Sequence, residues 1–416
     1  MDKKLNRAMN IGEAMLLSGA EVHRVEDSLY RICSAFGAER TDVFIITSSM
    51  IVTVHTADGS VFTETRRIVS MGTDFEKLDK LNSLSRKICY KGMTLEEIDA
   101  ELDKINGIKA YPFWLEVVAY AFIAGAFTLF FGGTWLESFM SFIIGGAIRG
   151  LIFFLELTVR NKIFTKFVAS FASAGAAYLL KSLGVVPDVD EIIIGNIMTL
   201  IPGIGITNAI RDLFTGDSIA GLLRTIESVL NALAIAAGYF VLVLVMGGVG
   251  LAAATPPEII PWLQVVTGTV GTVGFAVLFN IKGKKLVMVG VGGFLSWAIY
   301  LLTELLTGSE MLGYFISAAL MTLFSELMAR MLKTPTTVFV IPTLVPLIPG
   351  GSLYKTMRFA FSAEAHSFSA TGLYTIELAA ALALGIIISS AICKPIFKYI
   401  GIKAHRRGMI KRHLDK

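Results

Sequence analysis

Apolar positions change their spacing near residue 110. Before it they follow short periods. Leu5, Ala8, Gly12, Met15 and Gly19 share one helical face, and Val22, Val25, Leu29, Ile32 and Phe36 share another. Ser18-Gly19-Ala20 separates the two helices, and Gly37 ends the second as a C-terminal cap. Three β-rich segments follow, at about 42–47, 50–56 and 60–66, with Asp58-Gly59 as the turn between the last two. Leu78, Leu81, Leu84 and Ile88 then predict a helix over 74–90. Thr94 opens another helix, with Glu97 placed to complete a capping box. This pattern predicts a small α+β domain over residues 1–110.

Beyond residue 110 the apolar runs lengthen. A bilayer-spanning helix needs about 20 apolar residues. On that measure there are about ten spans, near 111–131, 135–157, 163–183, 189–212, 218–247, 259–281, 284–306, 310–332, 336–357 and 369–393. Ala252-Ala-Ala-Thr-Pro-Pro257 divides them into two sets, residues 111–252 and 256–416. The expected architecture is an all-α polytopic membrane protein of two five-helix repeats behind the small α+β domain. An odd number of helices per repeat inverts the second copy, a common plan among alternating-access carriers.

Two spans are broken by their own residues. Thr199-Leu-Ile-Pro-Gly-Ile-Gly205 leads to Asn208, Arg211 and Asp212, and Thr343-Leu-Val-Pro-Leu-Ile-Pro-Gly-Gly-Ser-Leu-Tyr-Lys355 matches it. Thr199, Leu200 and Pro202 fall on Thr343, Leu344 and Pro346; Asn208 falls on Ser352 and Arg211 on Lys355. Proline removes a backbone donor and glycine loosens a helix. Freed backbone groups at membrane depth need protein or a watery cavity around them. Paired broken segments in two halves therefore point to a transporter's substrate site. Phe127 and Phe131 correspond to Phe275 and Phe279, Gly145-Gly146 to Gly292-Gly293, and Glu227 to Glu377, all at offsets of roughly 144–150 residues.

Composition fits this layout. Of 416 residues 54% are hydrophobic and 17% charged, and the charge is concentrated before residue 110. The net charge of +4 lies largely in loops and implies no nucleic-acid partner. Cys33, Cys89 and Cys393 are far apart and have no metal-ligand spacing, so neither a disulfide framework nor a metal is expected. Asn10, Gly12 and Glu13 interrupt any signal-peptide core. Lys and Arg cluster at 160–166, 211–224, 282–285, 330–333 and 394–412, which predicts cytoplasmic termini in a cell membrane. Lys355 and Arg358 are exceptions, near the outer end of the ninth span.

The chain resembles the threonine/serine exporter family nearly end to end. The resemblance rests on Gly19-Ala-Glu-Val-His-Arg-Val-Glu26, the Arg66-Arg67 pair, Leu200-Ile-Pro-Gly203 and Leu347-Ile-Pro-Gly-Gly351. Val22 and His23 depart from the Thr and Tyr more usual there. The resemblance implies export of small amino acids driven by an ion gradient. Family members come as one fused chain or as two proteins, and two-chain relatives look like dicarboxylate exporters. A succinate-like substrate therefore stays open.

The expected substrate contacts are Pro202, Gly203, Gly205, Asn208 and Arg211 in one half, and Pro349, Gly350, Gly351, Ser352, Tyr354 and Lys355 in the other. Free amides at a half-helix N-terminus attract a carboxylate, and unpaired carbonyls accept from an ammonium. Charges inside spans are costly and mark function. Glu377 has no cation at its helical neighbours and leads as proton carrier, ahead of Glu227 and of Glu326, which has Arg330 four residues on. Arg149 would hold an internal or substrate carboxylate, or reach to the surface. Arg24 and Glu26 belong to a charged cluster that reads as a ligand site, a contact with the membrane helices or a solvated face. No HExxH, Gly-x-Ser-x-Gly or Walker A motif is present, so neither an enzyme nor ATP-driven export is expected, and no cofactor. A membrane sensor with a regulatory domain is the rival outside transport. The expected partners are a small amino acid or carboxylate, the lipid bilayer and, as an open option, further copies of the chain in a homo-oligomer.

Overall fold

A computed structural model describes residues 1–414 apart from 70, 160, 202–204, 207, 210–211, 214–215, 247–258 and 362–364. The chain opens with helices α1 (Asp2–Leu17) and α2 (Val22–Ala35). Gly19, at φ 92°, makes the turn between them, and Gly37, also at φ 92°, ends α2. Strands β1 (Arg40–Ile46), β2 (Ser49–His55) and β3 (Val61–Arg67) form an antiparallel sheet in that order. Arg40 pairs with His55, and Ser49 with Arg67. Met50, Val52 and Val54 turn one face of β2 onto the helices, as a period of two requires. Helices α3 (Phe75–Lys91) and α4 (Leu95–Asn106) complete the layer, and the Thr94–Glu97 capping box is formed.

Long apolar helices follow: α5 (Phe113–Phe130), α6 (Trp135–Thr158), α7 (Lys162–Ser182), the short α8 (Asp190–Ile197) and α9 (Ser218–Val245). Then come α10 (Pro261–Leu278), α11 (Lys284–Thr307), α12 (Glu310–Leu332), α13 (Thr337–Thr343), a 3₁₀ turn (Val345–Leu347), α14 (Gly350–Phe361) and α15 (Ala365–Leu414). The chain is a multi-pass membrane protein. Among the described residues eight helices are long and apolar enough to cross a bilayer, and a bent pair, Thr337–Thr343 with Val345–Ala360, would make nine.

Of the ten expected spans, the two whose prolines and glycines predicted a break are not single straight helices. The segment 189–212 is not one helix, because α8 ends at Ile197 and residues 198–200 form a turn just before Pro202-Gly203. The segment 336–357 bends by 46°, with Pro342 inside α13 and Pro346 in the 3₁₀ turn.

Element lengths recur. Both α5 and α10 have 18 residues, and α6 and α11 both have 24. The 28 residues of α9 match the 28 of the apolar stretch His366–Cys393 in α15. The two sets meet along α5 and α10, where Phe127 and Phe275 stack edge to face at 6.4 Å. Gly271 permits this approach, since a Cβ there would stand 2.5 Å from the Phe127 ring.

The N-terminal layer touches the first set of helices, where Lys162 Nζ donates to the Met71 carbonyl at 3.2 Å, and is fastened to the second. Phe75 is buried edge-on to Phe279 at 5.6 Å, and its amide donates to the Phe279 carbonyl at 2.9 Å. Asn280 Nδ2 donates to Asp74 at 2.9 Å, and Lys285 joins Glu76 and Asp79. Thr337 Oγ1 donates to the buried Glu21 carboxylate at 2.7 Å, tying α2 to the start of α13.

Candidate functional site

Helices α8 and α14 come from different halves and meet at their broken ends. A Cβ on Gly350 would stand 2.5 Å from Met198 Sδ, and one on Gly351 would stand 2.8 Å from the Phe131 ring. A side chain at either position would have to push Met198 or Phe131 aside, so glycine favours this close start of α14 at the end of α8. The first turn of α14 leaves amides without helical acceptors, and its positive dipole end faces the break. Ser352 Oγ donates to the Pro349 carbonyl at 3.1 Å, and Thr356 Oγ1 to the Ser352 carbonyl at 2.8 Å.

One turn further on, α14 is fastened to the other end of α8. Tyr354 and Arg358 lie four residues apart on one face. Tyr354 donates to Asp190 Oδ1 at 3.1 Å, and Arg358 pairs with Asp190 Oδ2. Asp190 lies in the first turn of α8, where the helix dipole favours an anion. Tyr239 of α9 stacks edge to face on Tyr354 at 5.9 Å, and the buried Tyr178 of α7 completes the cluster. Asn196, buried near the end of α8, donates to Ser141 at 2.8 Å and to the Ile192 carbonyl at 2.9 Å. Arg224 of α9 and Asp212 form a second buried ion pair at 3.1 Å.

Five expected site residues lie here. Pro349, Gly350, Gly351, Ser352 and Tyr354 lie at the α14 break, and Asn208 is buried while Gly205 is half-buried in a helical turn. Pro202, Gly203 and Arg211 lie outside the described residues. Lys355 is exposed and stands apart from the Asp190 cluster. Glu377 and Glu227 are also exposed, on helix faces that carry Leu373 and Ile376, and Ile226 and Leu230, outward. Glu326 is buried and pairs with Arg330 at 3.4 Å. Arg149 holds an internal carboxylate, Glu116, at 2.6 Å, and lies over the Phe113 and Tyr120 rings. Arg24 is half-buried at the contact with α12. Glu26 is half-buried as well. Burial, reinforced by the Asp217 carboxylate, holds its carboxyl above the usual range, and a backbone hydrogen bond at Ile45 opposes this.

Asp190, Asn196, Tyr239 and the Asp212–Arg224 pair escaped the sequence reading. Arg358 was the available signal. A cation at the wrong end of a span needs a partner, and an acid opens the fourth apolar run.

The family described as "Putative threonine/serine exporter" matches residues 6–246, and "Threonine/Serine exporter, ThrE" matches residues 264–392. The threonine/serine exporter of Corynebacterium glutamicum is 23% identical over 408 residues, covering 94% of this chain and 82% of that one. A "Probable threonine/serine exporter" of Mycobacterium tuberculosis is 22% identical over 414 residues, 95% of this chain and 77% of that one. A "Probable succinate transporter subunit YjjP" of Klebsiella aerogenes is 24% identical over 214 residues, 50% of this chain and 81% of that one. No solved structure matches. With one family covering more than half of the chain and its companion most of the remainder, the chain belongs to the threonine/serine exporter family.

Proposed function

We propose that the chain is a secondary active exporter of threonine, serine or similar small amino acids, coupled to protons and working by alternating access. Three parts carry the work: a cytoplasmic α+β domain (1–110) and two inverted five-segment repeats (111–252 and 256–416). The observation that carries the reading is the meeting of two broken segments, one from each half, at Met198 and Gly350. The α14 N-terminus would receive the substrate carboxylate, and carbonyls freed at the end of α8 would receive the ammonium. Asn208 and Ser352 would read the side-chain hydroxyl. The Asp190–Tyr354–Arg358 cluster would close the site toward one face of the membrane, and Asp212–Arg224 toward the other. Glu377, with Glu227 and Glu326 behind it, is proposed to carry the proton. Positive loop charge at the end where the N-terminal layer packs supports a cell-membrane protein with both termini cytoplasmic.

A dicarboxylate is the second reading. Arg211 and Lys355 would add the positive charge it needs, and one relative is named as a succinate transporter subunit. Counterflow in proteoliposomes loaded with unlabelled threonine, serine or succinate separates the two. Accumulation of labelled threonine or serine, lost in Asn208→Ala, supports the first. Accumulation of succinate alone replaces it with the second. Folded protein that exchanges no solute removes both.

A further inference from the structure

A crevice of about 410 Å³ lies where the N-terminal layer meets the second half. Its walls come from α2, α3, the end of α12 and the connection to α13, so two parts of the molecule share it. The charge inside is unbalanced. Arg31 pairs with Asp27 at 2.9 Å, and Arg330 with Glu326 at 3.4 Å. That leaves Arg24, Arg86 and Lys333, none of which has a carboxylate partner among the described residues. Arg86 donates only to neutral oxygens, the Lys333 carbonyl at 2.6 Å and Ser83 Oγ at 3.4 Å. Arg24 adds an independent sign: its Nε is buried without a hydrogen-bond acceptor. A buried guanidinium N–H left unpaired is costly, and it signals a missing acceptor.

We propose that this crevice binds a phosphate group and that the phosphate joins the N-terminal layer to the membrane helices. Two guanidinium forks and one ammonium, delivered from α2, α3 and the C-terminal end of α12, match the several oxygens of a phosphate better than the two of a carboxylate. The phosphate could be borne by a free anion or by a lipid headgroup. The outward Leu327 and Met331, beside Arg330 on α12, put the crevice within reach of lipid. The site is distinct from the meeting of α8 and α14, and it does not rest on the transport reading.

The test is thermal unfolding of the full chain in a nonionic detergent. It is titrated with inorganic phosphate at constant ionic strength, and separately with short-chain phosphatidylglycerol, using chloride and phosphatidylcholine as controls. The expected result is a saturable rise in Tm with a phosphate-bearing probe and none with the controls. Arg24→Gln with Lys333→Gln should raise the half-saturating concentration by about tenfold or more. Lys333→Gln alone, at an exposed position, should shift it in the same direction and serves if the double variant does not fold. A response to inorganic phosphate assigns a soluble anion; a response to phosphatidylglycerol alone assigns a headgroup. No saturable response to either, or an unchanged midpoint in the folded variants, overturns the proposal.

Discussion

Asp190 holds two donors from α14, so removing either partner leaves polar groups stranded. Asp190→Asn and Arg358→Gln should each cost about 3 kcal/mol, because a largely buried charge loses its counter-charge. The double variant should cost less than the sum, since neither charge then remains. Thermal unfolding of the four proteins measures the coupling, and strict additivity would mean that the contact carries no energy. Tyr354→Phe should cost about 1 kcal/mol. Glu26 makes a prediction about pH. Its carboxyl is held above the usual range by burial first and by Asp217 second. The folded chain therefore keeps this proton at a pH where the unfolded chain has lost it. The associated stability is full below the ordinary carboxylate range and is lost as pH rises through the raised value. Glu26→Gln should flatten that fall in an unfolding series across mildly acidic pH, whereas an unchanged slope would show that other groups set it. At this scale the sequence was legible only in part. Arg358 stood out by breaking the charge rule, but Asp190, 168 positions away, could be named only once the two halves were seen together.

Helices α8 and α14 set the second scale. Their approach depends on a missing side chain at Gly350. Gly350→Ala would press a methyl group against the buried Met198, at a cost of about 1–3 kcal/mol. It should slow counterflow and lower Tm together, and Met198→Ala in the same chain should recover part of both. Slow counterflow that Met198→Ala leaves unchanged would argue against the contact as the cause. Element boundaries were largely legible. Capping residues and punctuating glycines fix them locally, as Thr94 with Glu97 and Asp58-Gly59 show. The broken segments were legible as broken, because proline and glycine act within their own turn. Where the pieces go was not, because Pro342 and Pro346 say only that a helix bends.

At the scale of the whole molecule, the N-terminal layer is continuous in sequence with the first half, touches it through β1 and Met71, and is fastened to the second. Phe75 on Phe279, and Lys285 on Glu76 and Asp79, hold it there. A chain starting at residue 111 should therefore capture a separate fragment 1–110. Lys285→Glu should weaken that capture by about tenfold or more, through repulsion of two carboxylates. Co-elution in detergent reads this out, and equal capture by both chains would place the adhesion elsewhere. Period and composition separated this layer from the membrane helices, but its docking partner had no sequence signal.

The same arrangement bears on biosynthesis. Asp74 leaves the ribosome 206 positions ahead of Asn280, to which it will bond. At ordinary elongation rates that interval is roughly 10–40 s. For that time the layer lacks its partners on the second half while five apolar segments enter the bilayer behind it. Phe75 is without its cover from Phe279 throughout. Docking can occur only once α10 and α11 have been made, so burial of Phe75 reports that the newborn chain has passed its midpoint.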